Sequence, residues 1–308
     1  MSTTQSAVQE TKISLPRSRV PGSAWIIALL VFAGVSVMTY PSAASWFSEL
    51  QQSKEVRSYD TSVKELGPVG RSAALDDARK YNSTLSGGAI VDPFTNPDAS
   101  NTTDINAGTP EQVAARQAAK AVAQNYAKQL ALSPDGVMSR LVIPSIGVDL
   151  PIYHGTGDAE LHKGVGHLYG TALPVGGKGT HAVLTGHSGV PEATLFTRLK
   201  DLKLGDEFEV STYGDTLTYR INNIVEVLPT ETESLRPVAG KDLVTLITCT
   251  PIGINTHRLL VTAERVNTVE QEQKPVTIAS SVDPPWWILW IALGLIASVA
   301  VIIGSRRR

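Results

Sequence analysis

The sequence predicts a mainly β fold, a closed or nearly closed barrel that follows a helical extension and lies between two apolar segments. Short β-type segments separated by Gly, Pro and Asp begin at Ser139, an alanine-rich stretch precedes them, and an apolar run lies near each end of the chain. Several short strands at such spacing are typical of barrels. The predicted strands are Ser139 to Ile143, Val148 to Ile152, His181 to Thr185, Glu207 to Thr212, Thr216 to Leu228, Leu243 to Cys249 and Arg258 to Val266.

The composition argues against a nucleic-acid-binding protein. The chain has 308 residues, 42% hydrophobic and 18% charged, and its 27 Lys and Arg against 29 Asp and Glu leave a formal net charge of -2. Nucleic-acid binding needs a basic surface that releases counterions from phosphates. The sequence also lacks a P-loop and a dinucleotide fingerprint, so no nucleotide cofactor is predicted.

Each apolar run is long enough to span a membrane as a helix. The first runs from Ala24 to Tyr40 without a charged residue, and the second runs from Trp286 to Gly304. A spanning helix needs about 20 mostly apolar residues, with a range of about 17 to 25. A cleaved signal peptide is the alternative interpretation of the first run, with a cleavage site at Ala43 to Ser45, but the run exceeds a normal signal core.

Basic residues flank both apolar runs on their outer sides. Lys12, Arg17 and Arg19 precede the first run, and residues 306–308, all arginine, follow the second. Under the positive-inside rule both termini are cytoplasmic, and everything between the two runs lies on the outer face of the cell membrane. This exported part is acidic, which disfavours binding to an anionic surface.

These features predict an order of segments along the chain. Inside the extension, a helix starts at Thr109 with proline at its first position and runs to about Leu132. An earlier helix runs from about Arg71 to Leu85, and residues 89–108, rich in Asn, Asp, Pro, Thr and Ser, form the loop between them. The predicted segments are a cytoplasmic N-terminus (1–23), a transmembrane helix (24–40), an extracellular helical extension (41–138), the barrel (139–268), a linker (269–285), a transmembrane helix (286–304) and a cytoplasmic tail (305–308).

Cys249 is the only cysteine in the chain, so no intrachain disulfide holds the exported domain together. A free cysteine is often a small buried core residue. Here it ends an apolar predicted strand just before Pro251, where a strand opens onto a loop that a substrate can reach. Arg258 begins the next apolar run, so that the guanidinium is expected close to the sulfur if the two runs are neighbouring strands.

His187 is the third candidate, again at the point where a predicted strand meets a glycine-flanked loop. Cysteine, histidine and arginine on three strand ends are the parts needed for acyl transfer. The thiolate attacks a carbonyl, the imidazolium donates to the departing amine, and the arginine supports the oxyanion or orients the carbonyl. A neighbouring arginine and histidine are expected to favour the ionised thiol. The spacing alone is only suggestive.

The remaining histidines of this region match no zinc-binding pattern, so neither a metal nor another cofactor is predicted. His154, His162, His167 and His181 are interpreted as hydrogen-bonding residues of the barrel. His257 adjoins Arg258, but successive side chains on a strand point to opposite faces, which argues against His257 as a catalytic base.

Three motifs together resemble a known family. The runs TLITCTPIGINTHRLLV, THAVLTGHSG and GVGHLYGTALPVGG are similar to those of sortases, the membrane-anchored cysteine transpeptidases of Gram-positive surfaces, over roughly Ser139 to Val266. The resemblance implies an eight-stranded sortase β-barrel in which His187 is the catalytic acid, Cys249 the nucleophile and Arg258 the oxyanion-stabilising residue. A second membrane helix and a helical N-terminal extension resemble the class C, pilus-assembling branch.

That branch also carries a lid over its active site, with an Asp-Pro-aromatic signature. Asp92, Pro93 and Phe94 match the signature inside the loop 89–108. Asp92 is expected to pair with an arginine, and Phe94 to cover the sulfur until substrate displaces both. Ser188 departs from the family, since many members carry arginine after the catalytic histidine; this change is expected to alter the pocket rim without affecting the catalytic residues.

The resemblance implies cleavage of an LPXTG-like sorting signal between Thr and Gly, a thioester on Cys249, and its resolution by a lysine amine of another pilin. The partners are then pilin or surface-protein substrates with such signals and the cell membrane. Three alternatives stay open at this point. A peptidoglycan precursor is the acceptor in wall anchoring, water is the acceptor in hydrolysis, and an inactive membrane scaffold does neither.

Overall fold

The computed structural model describes residues 20–85, 92–94, 120, 122–133, 135–266 and 284–306. The chain divides into two compact units, residues 1–43 with 284–308, and residues 44–283. The second unit contains the β-strands and all the predicted site residues.

Eight strands close into a barrel in the order β1-β2-β3-β4-β7-β8-β6-β5. Neighbouring strands are antiparallel except for the pairs β2 with β3 and β4 with β7, which are parallel. This closed barrel confirms the predicted fold class. The strands are β1 (Val137–Ile143), β2 (Val148–His154), β3 (Val165–His167), β4 (Thr180–Thr185), β5 (Glu207–Thr212), β6 (Asp215–Val227), β7 (Asp242–Thr250) and β8 (His257–Arg265).

The residue pattern predicted seven strands and missed β3. This strand has three residues, too few for a visible alternation of apolar and polar side chains. Gly166, at the centre of β3, lies close to the backbone just after β2. A Cβ atom at this position would be 2.4 Å from the carbonyl oxygen of Gly155. Only glycine permits this close approach, and the same residue weakens the strand signal in the sequence.

β7, the strand that carries Cys249, is buried along most of its length. In β5 buried and partly exposed residues alternate, as expected for a strand with one face to the core, whereas β7 is buried from Leu243 to Thr248. β7 also lies between β4 and β8 in the sheet. Hydrogen-bonded on both edges and buried on both faces, β7 is a rigid support for the residues at its end.

A long helix, α1 (Gly22–Thr84), precedes the barrel, interrupted at Gly67, whose φ of 70° and ψ of 172° are not helical. The sequence predicted separate helices over 24–40 and from about Arg71 to Leu85; the structure extends the first of them to the break at Gly67, which separates it from the second. The break falls at Gly67 because this left-handed φ costs glycine almost nothing.

Tyr59 fastens α1 to the barrel. Its hydroxyl accepts a hydrogen bond from the backbone N–H of Tyr213 at 2.7 Å and donates to the carbonyl of Met138 at 3.1 Å. The next residue, Asp60, lies 3.6 Å from Arg140, which also holds Asp149 in a bidentate pair at 2.7 and 2.6 Å. The helix therefore supplies hydrogen-bonding and charged partners for polar groups of the barrel.

A second helical segment, α2 (residues 122–128), lies in the region where the sequence predicted a helix from Thr109 to Leu132; residues 109–119 lie outside the described residues. The hydroxyl of Tyr126 in α2 lies 2.9 Å from Nδ1 of His167, and Nε2 of His167 lies 2.8 Å from the carbonyl of Ala172. Because a carbonyl oxygen only accepts, Nε2 carries a proton and donates to Ala172. Burial lowers the pKa of His167 to about 4.

His167 makes folding sensitive to acid. An unfolded histidine has a pKa of about 6.5. Because the pKa of His167 is lower in the folded state, its contribution to the free energy of unfolding is fully present above pH 6.5. This contribution is lost as the pH falls toward 4, by about 3 kcal/mol in total. Denaturant unfolding of the full chain in detergent at several pH values measures this. We expect His167→Gln to reduce the slope of the free energy of unfolding against pH by the equivalent of about one bound proton. An unchanged slope would contradict the assignment.

The first unit contains the start of α1 and a C-terminal helix, α4 (Trp287–Ser305). The hydroxyl of Ser298 donates to the carbonyl of Ala28 at 3.0 Å, and a Cβ at Gly294 would touch Val35 at 3.0 Å. Small residues four positions apart let the two helices approach closely. By length and composition both helices are able to cross a membrane.

Candidate active site

Cys249, Arg258 and His187 lie on three adjacent strand ends. Cys249 of β7 is directly paired with Arg258 of β8. On the other side of β7, Thr185 of β4 pairs in parallel with Ile247, so His187 and Cys249 each lie two residues beyond a matched pair. The structure thus brings the three predicted residues to one edge of the barrel.

Three hydrogen bonds join the β4 and β7 ends beyond their regular pairing. The N–H of Gly186 donates to the carbonyl of Ile247 at 3.1 Å, and the hydroxyl of Thr248 donates to the carbonyl of Gly186 at 2.7 Å. The hydroxyl of Ser188 donates to the carbonyl of Cys249, also at 2.7 Å. Ser188 therefore does more than shape the pocket rim, because it ties the loop after His187 to the backbone of the cysteine.

Ser188→Ala is expected to lower the free energy of unfolding by about 1 kcal/mol, the usual net value of one hydrogen bond. The matched control is Ser188→Thr, which keeps a hydroxyl at the same position. Denaturant unfolding of the full chain in detergent compares the two variants. An equal loss in both would show that the hydroxyl is not responsible.

Asp92 and Phe94 lie on this cluster, while the other residues of the predicted loop 89–108, apart from Pro93, lie outside the described residues. The carboxylate of Asp92 holds Arg258 in two hydrogen bonds, 2.8 Å to Nε and 2.9 Å to Nη2. Both side chains are almost fully buried, at 5% and 8% exposure. The expected pairing of Asp92 with an arginine is thus present, and the arginine is Arg258.

Phe94 packs on two other members of the cluster. Its ring centroid lies 5.0 Å from the guanidinium carbon of Arg258 and 5.8 Å from the imidazole of His187. The sequence-based expectation placed this ring over the sulfur. The observed contacts are with the two groups that flank the thiol, and Cys249 itself is half-buried.

Burial disfavours both charged forms that the chemistry requires. It raises the pKa of the Cys249 thiol; Arg258 opposes this effect and Asp92 adds to it. Burial likewise lowers the pKa of His187, with a further lowering from His162 and a smaller opposite effect from Asp158. Arg258 thus favours the ionised thiol, as expected from the sequence, but burial outweighs this effect and raises the pKa of Cys249, and Asp92 acts in the same direction as burial.

Four of the other five histidines divide into two groups. His154, His167 and His181 hydrogen-bond within the second compact unit, as predicted. His162 differs: its side chain is exposed, and its ring centroid lies 5.4 Å from that of His187 at an interplanar angle of 64°. The sequence offered no periodic signal for this contact. Within the described part of the chain, no three His, Cys, Asp or Glu side chains cluster as metal ligands.

A crevice reaches Cys249 beside Ser188, Lys200 and Ile252. Of the lid, residues 92–94 are described, and none of these three lines the crevice.

The barrel matches the family model described as the sortase domain over residues 141–266. Among solved structures, the chain is similar to sortase C-1 of Actinomyces oris, with 50% identity, coverage of 64% of this chain and 98% of that chain, and a TM-score of 0.54. It is also similar to sortase C of Streptococcus pneumoniae, described for its catalysis and pilin substrate specificity, with 31% identity, coverage of 70% and 98%, and a TM-score of 0.57.

Curated relatives are similar to part of the chain as well. Sortase A of Bacillus anthracis is 31% identical over 132 residues, which are 43% of this chain and 61% of that relative. The match spans about three fifths of that relative's length.

Proposed function

Because the chain belongs to the sortase family, we propose that it is a membrane-anchored cysteine transpeptidase that joins pilin subunits. In this proposal Cys249 is the nucleophile, His187 the general acid and base, and Arg258 the group that stabilises the oxyanion. One observation carries the assignment: Cys249 and Arg258 are paired in register, and His187 follows the end of β4 on the other side of β7, two residues beyond the pair of Thr185 with Ile247.

The first half-reaction forms a thioester. The thiolate of Cys249 attacks the carbonyl carbon of Thr in an LPXTG-like sorting signal, and the resulting oxyanion lies beside the guanidinium of Arg258. The imidazolium of His187 donates its proton to the amine of Gly while the Thr–Gly bond breaks. The Gly-containing peptide then leaves, and the acyl group stays on Cys249.

The second half-reaction transfers the acyl group to an amine. A lysine amine of another pilin attacks the thioester carbonyl, and neutral His187 accepts the proton that the nitrogen loses. The carbon–sulfur bond breaks, the thiolate of Cys249 is restored, and an isopeptide bond joins the two subunits. His187 is again protonated for the next cycle.

Asp92 and Phe94 act as a lid in this scheme. While Asp92 holds both Nε and Nη2 of Arg258, these donors are not available to an oxyanion. The sorting signal must therefore displace Asp92 before the first half-reaction begins. This lid, the second apolar helix and the similarity to C-type sortases support the pilin-joining activity over wall anchoring.

We also propose that the enzyme is held in the cell membrane by the start of α1 and by α4. Both termini are then cytoplasmic and the barrel lies on the extracellular face, in agreement with the basic residues outside the two apolar runs. Anchoring on the outer face places the site where exported pilins emerge.

The test is mass spectrometry of the full chain in detergent, incubated with an LPXTG peptide and a lysine-bearing pilin domain. Asp92→Ala is examined in parallel, so that a closed lid cannot hide the reaction. The expected products are a Cys249-linked acyl intermediate and an isopeptide-joined pilin.

Other products would change the assignment. An intermediate that only hydrolyses indicates a protease, and one that accepts only cell-wall amines indicates wall anchoring. No intermediate in either variant, with a thiol that still alkylates, supports an inactive membrane scaffold.

A further inference from the structure

His162 lies next to the proposed general acid but belongs to a different element. It lies in the last turn of a short helix, α3 (Asp158–Lys163), which the sequence did not predict. Buried Leu161 anchors this helix, and the N–H of Gly164 closes its end on the carbonyl of Glu160 at 3.0 Å. His162 is therefore presented to His187 by a fixed backbone.

His187 has few contacts that hold its ring. Its Nε2 atom is buried and has no hydrogen-bond partner among the described residues. Within the same part of the chain, the rings that contact it are Phe94, at 5.8 Å, and His162, at 5.4 Å. Phe94 belongs to the lid and leaves when the lid opens. His162 is then the ring contact that remains during the reaction.

We propose that His162 is a positioning residue that keeps the His187 imidazole in its catalytic orientation once the lid has opened, and that its own charge competes with that of His187. The role in transfer rests on the proposed function, whereas the contact between the two rings does not. His162 touches neither thiol nor substrate in this proposal and acts only through His187.

The charges that face His187 determine the sign of the competition. On α3, His162 lowers the pKa of His187 and Asp158 raises it, both acting beside the larger effect of burial. On the lid, Asp92 is paired with Arg258 of β8, so these two charges offset each other. On β7, burial raises the pKa of the Cys249 thiol, which disfavours a negative charge beside His187. Removing the charge of His162 or of Asp158 should therefore move the titration of His187 in opposite directions.

NMR titration of the full chain in detergent, with 13C-labelled histidine, tests this without any substrate. We expect the His187 midpoint to rise in His162→Gln and to fall in the matched variant Asp158→Asn. Midpoints that stay at the wild-type value in both variants overturn the electrostatic part of the proposal. Because the titration needs no turnover, a failure here is distinct from a failure of the transpeptidase assignment.

A kinetic arm tests the positioning itself, in an Asp92→Ala background that leaves the lid open. We expect His162→Ala to lower kcat for peptide cleavage about tenfold with little change in KM, because a misplaced acid slows the chemical step. His162→Phe keeps a ring without charge and is expected to recover most of this loss. Wild-type kcat in His162→Ala overturns the positioning role, as does an equal loss in the Phe variant.

Discussion

Replacing Cys249 by alanine is expected to abolish acyl transfer, lowering turnover by at least about four orders of magnitude. No other side chain in the sequence is a thiol, and the neighbouring imidazole and guanidinium only assist a nucleophile that is then missing. The measurement is release of the Gly-containing fragment from an LPXTG peptide by the full chain in detergent, together with the mass of the protein.

Cys249→Ala should fold like the wild type. Cys249 is only partly buried, so we expect a change in the free energy of unfolding below about 1 kcal/mol. Denaturant unfolding of the same preparation checks this control. Residual turnover near the wild-type rate in a folded variant would mean that the thiol is not the nucleophile.

The second large effect is expected for the lid. Asp92→Ala removes one partner of a buried bidentate pair and leaves the charge of Arg258 uncompensated, a change that typically costs about 3 to 5 kcal/mol. This cost destabilises the closed position of the lid relative to the open one, so we expect the lid to open. Opening exposes Cys249 and also removes a carboxylate that raises the pKa of the thiol. We expect alkylation of Cys249 by iodoacetamide at neutral pH to accelerate at least about tenfold.

A surface carboxylate provides the matched control for this experiment. Asp76 pairs with Arg79 at 3.0 Å on the exposed face of α1, where an ion pair contributes little. Asp76→Ala should leave the alkylation rate unchanged, whereas Phe94→Ala should raise it. If Asp92→Ala alkylates at the wild-type rate, Asp92 does not hold a lid over the thiol.

Much of the barrel was predictable because strand signals are local. The alternation in β5 and the apolar run of β7 are visible in the sequence, and both strands form where predicted. β3 and α3 were missed because three and six residues are too few for a periodic signal, and tertiary contacts stabilise such short elements. The continuation of α1 between the two predicted helices was likewise not apparent.

The members of the site were also predictable, but their electrostatics were not. Strand ends before and after a turn place Cys249 and Arg258 together, and the glycine-flanked histidine follows the adjacent strand. Whether the thiol is ionised depends on burial and on every nearby charge. One of these charges belongs to Asp92, which is 166 residues away from Arg258 along the chain.

By itself, the sequence determined the barrel fold class, the two apolar segments and the three candidate site residues, Cys249, His187 and Arg258. It did so because turn residues, periodicity and side-chain chemistry are properties of short segments. Only the tertiary structure decided that Asp92 neutralises Arg258, that Ser188 holds the backbone of Cys249, and that His162 touches His187. These contacts join residues from distant segments, and Coulomb and desolvation energies depend on which groups share a buried space.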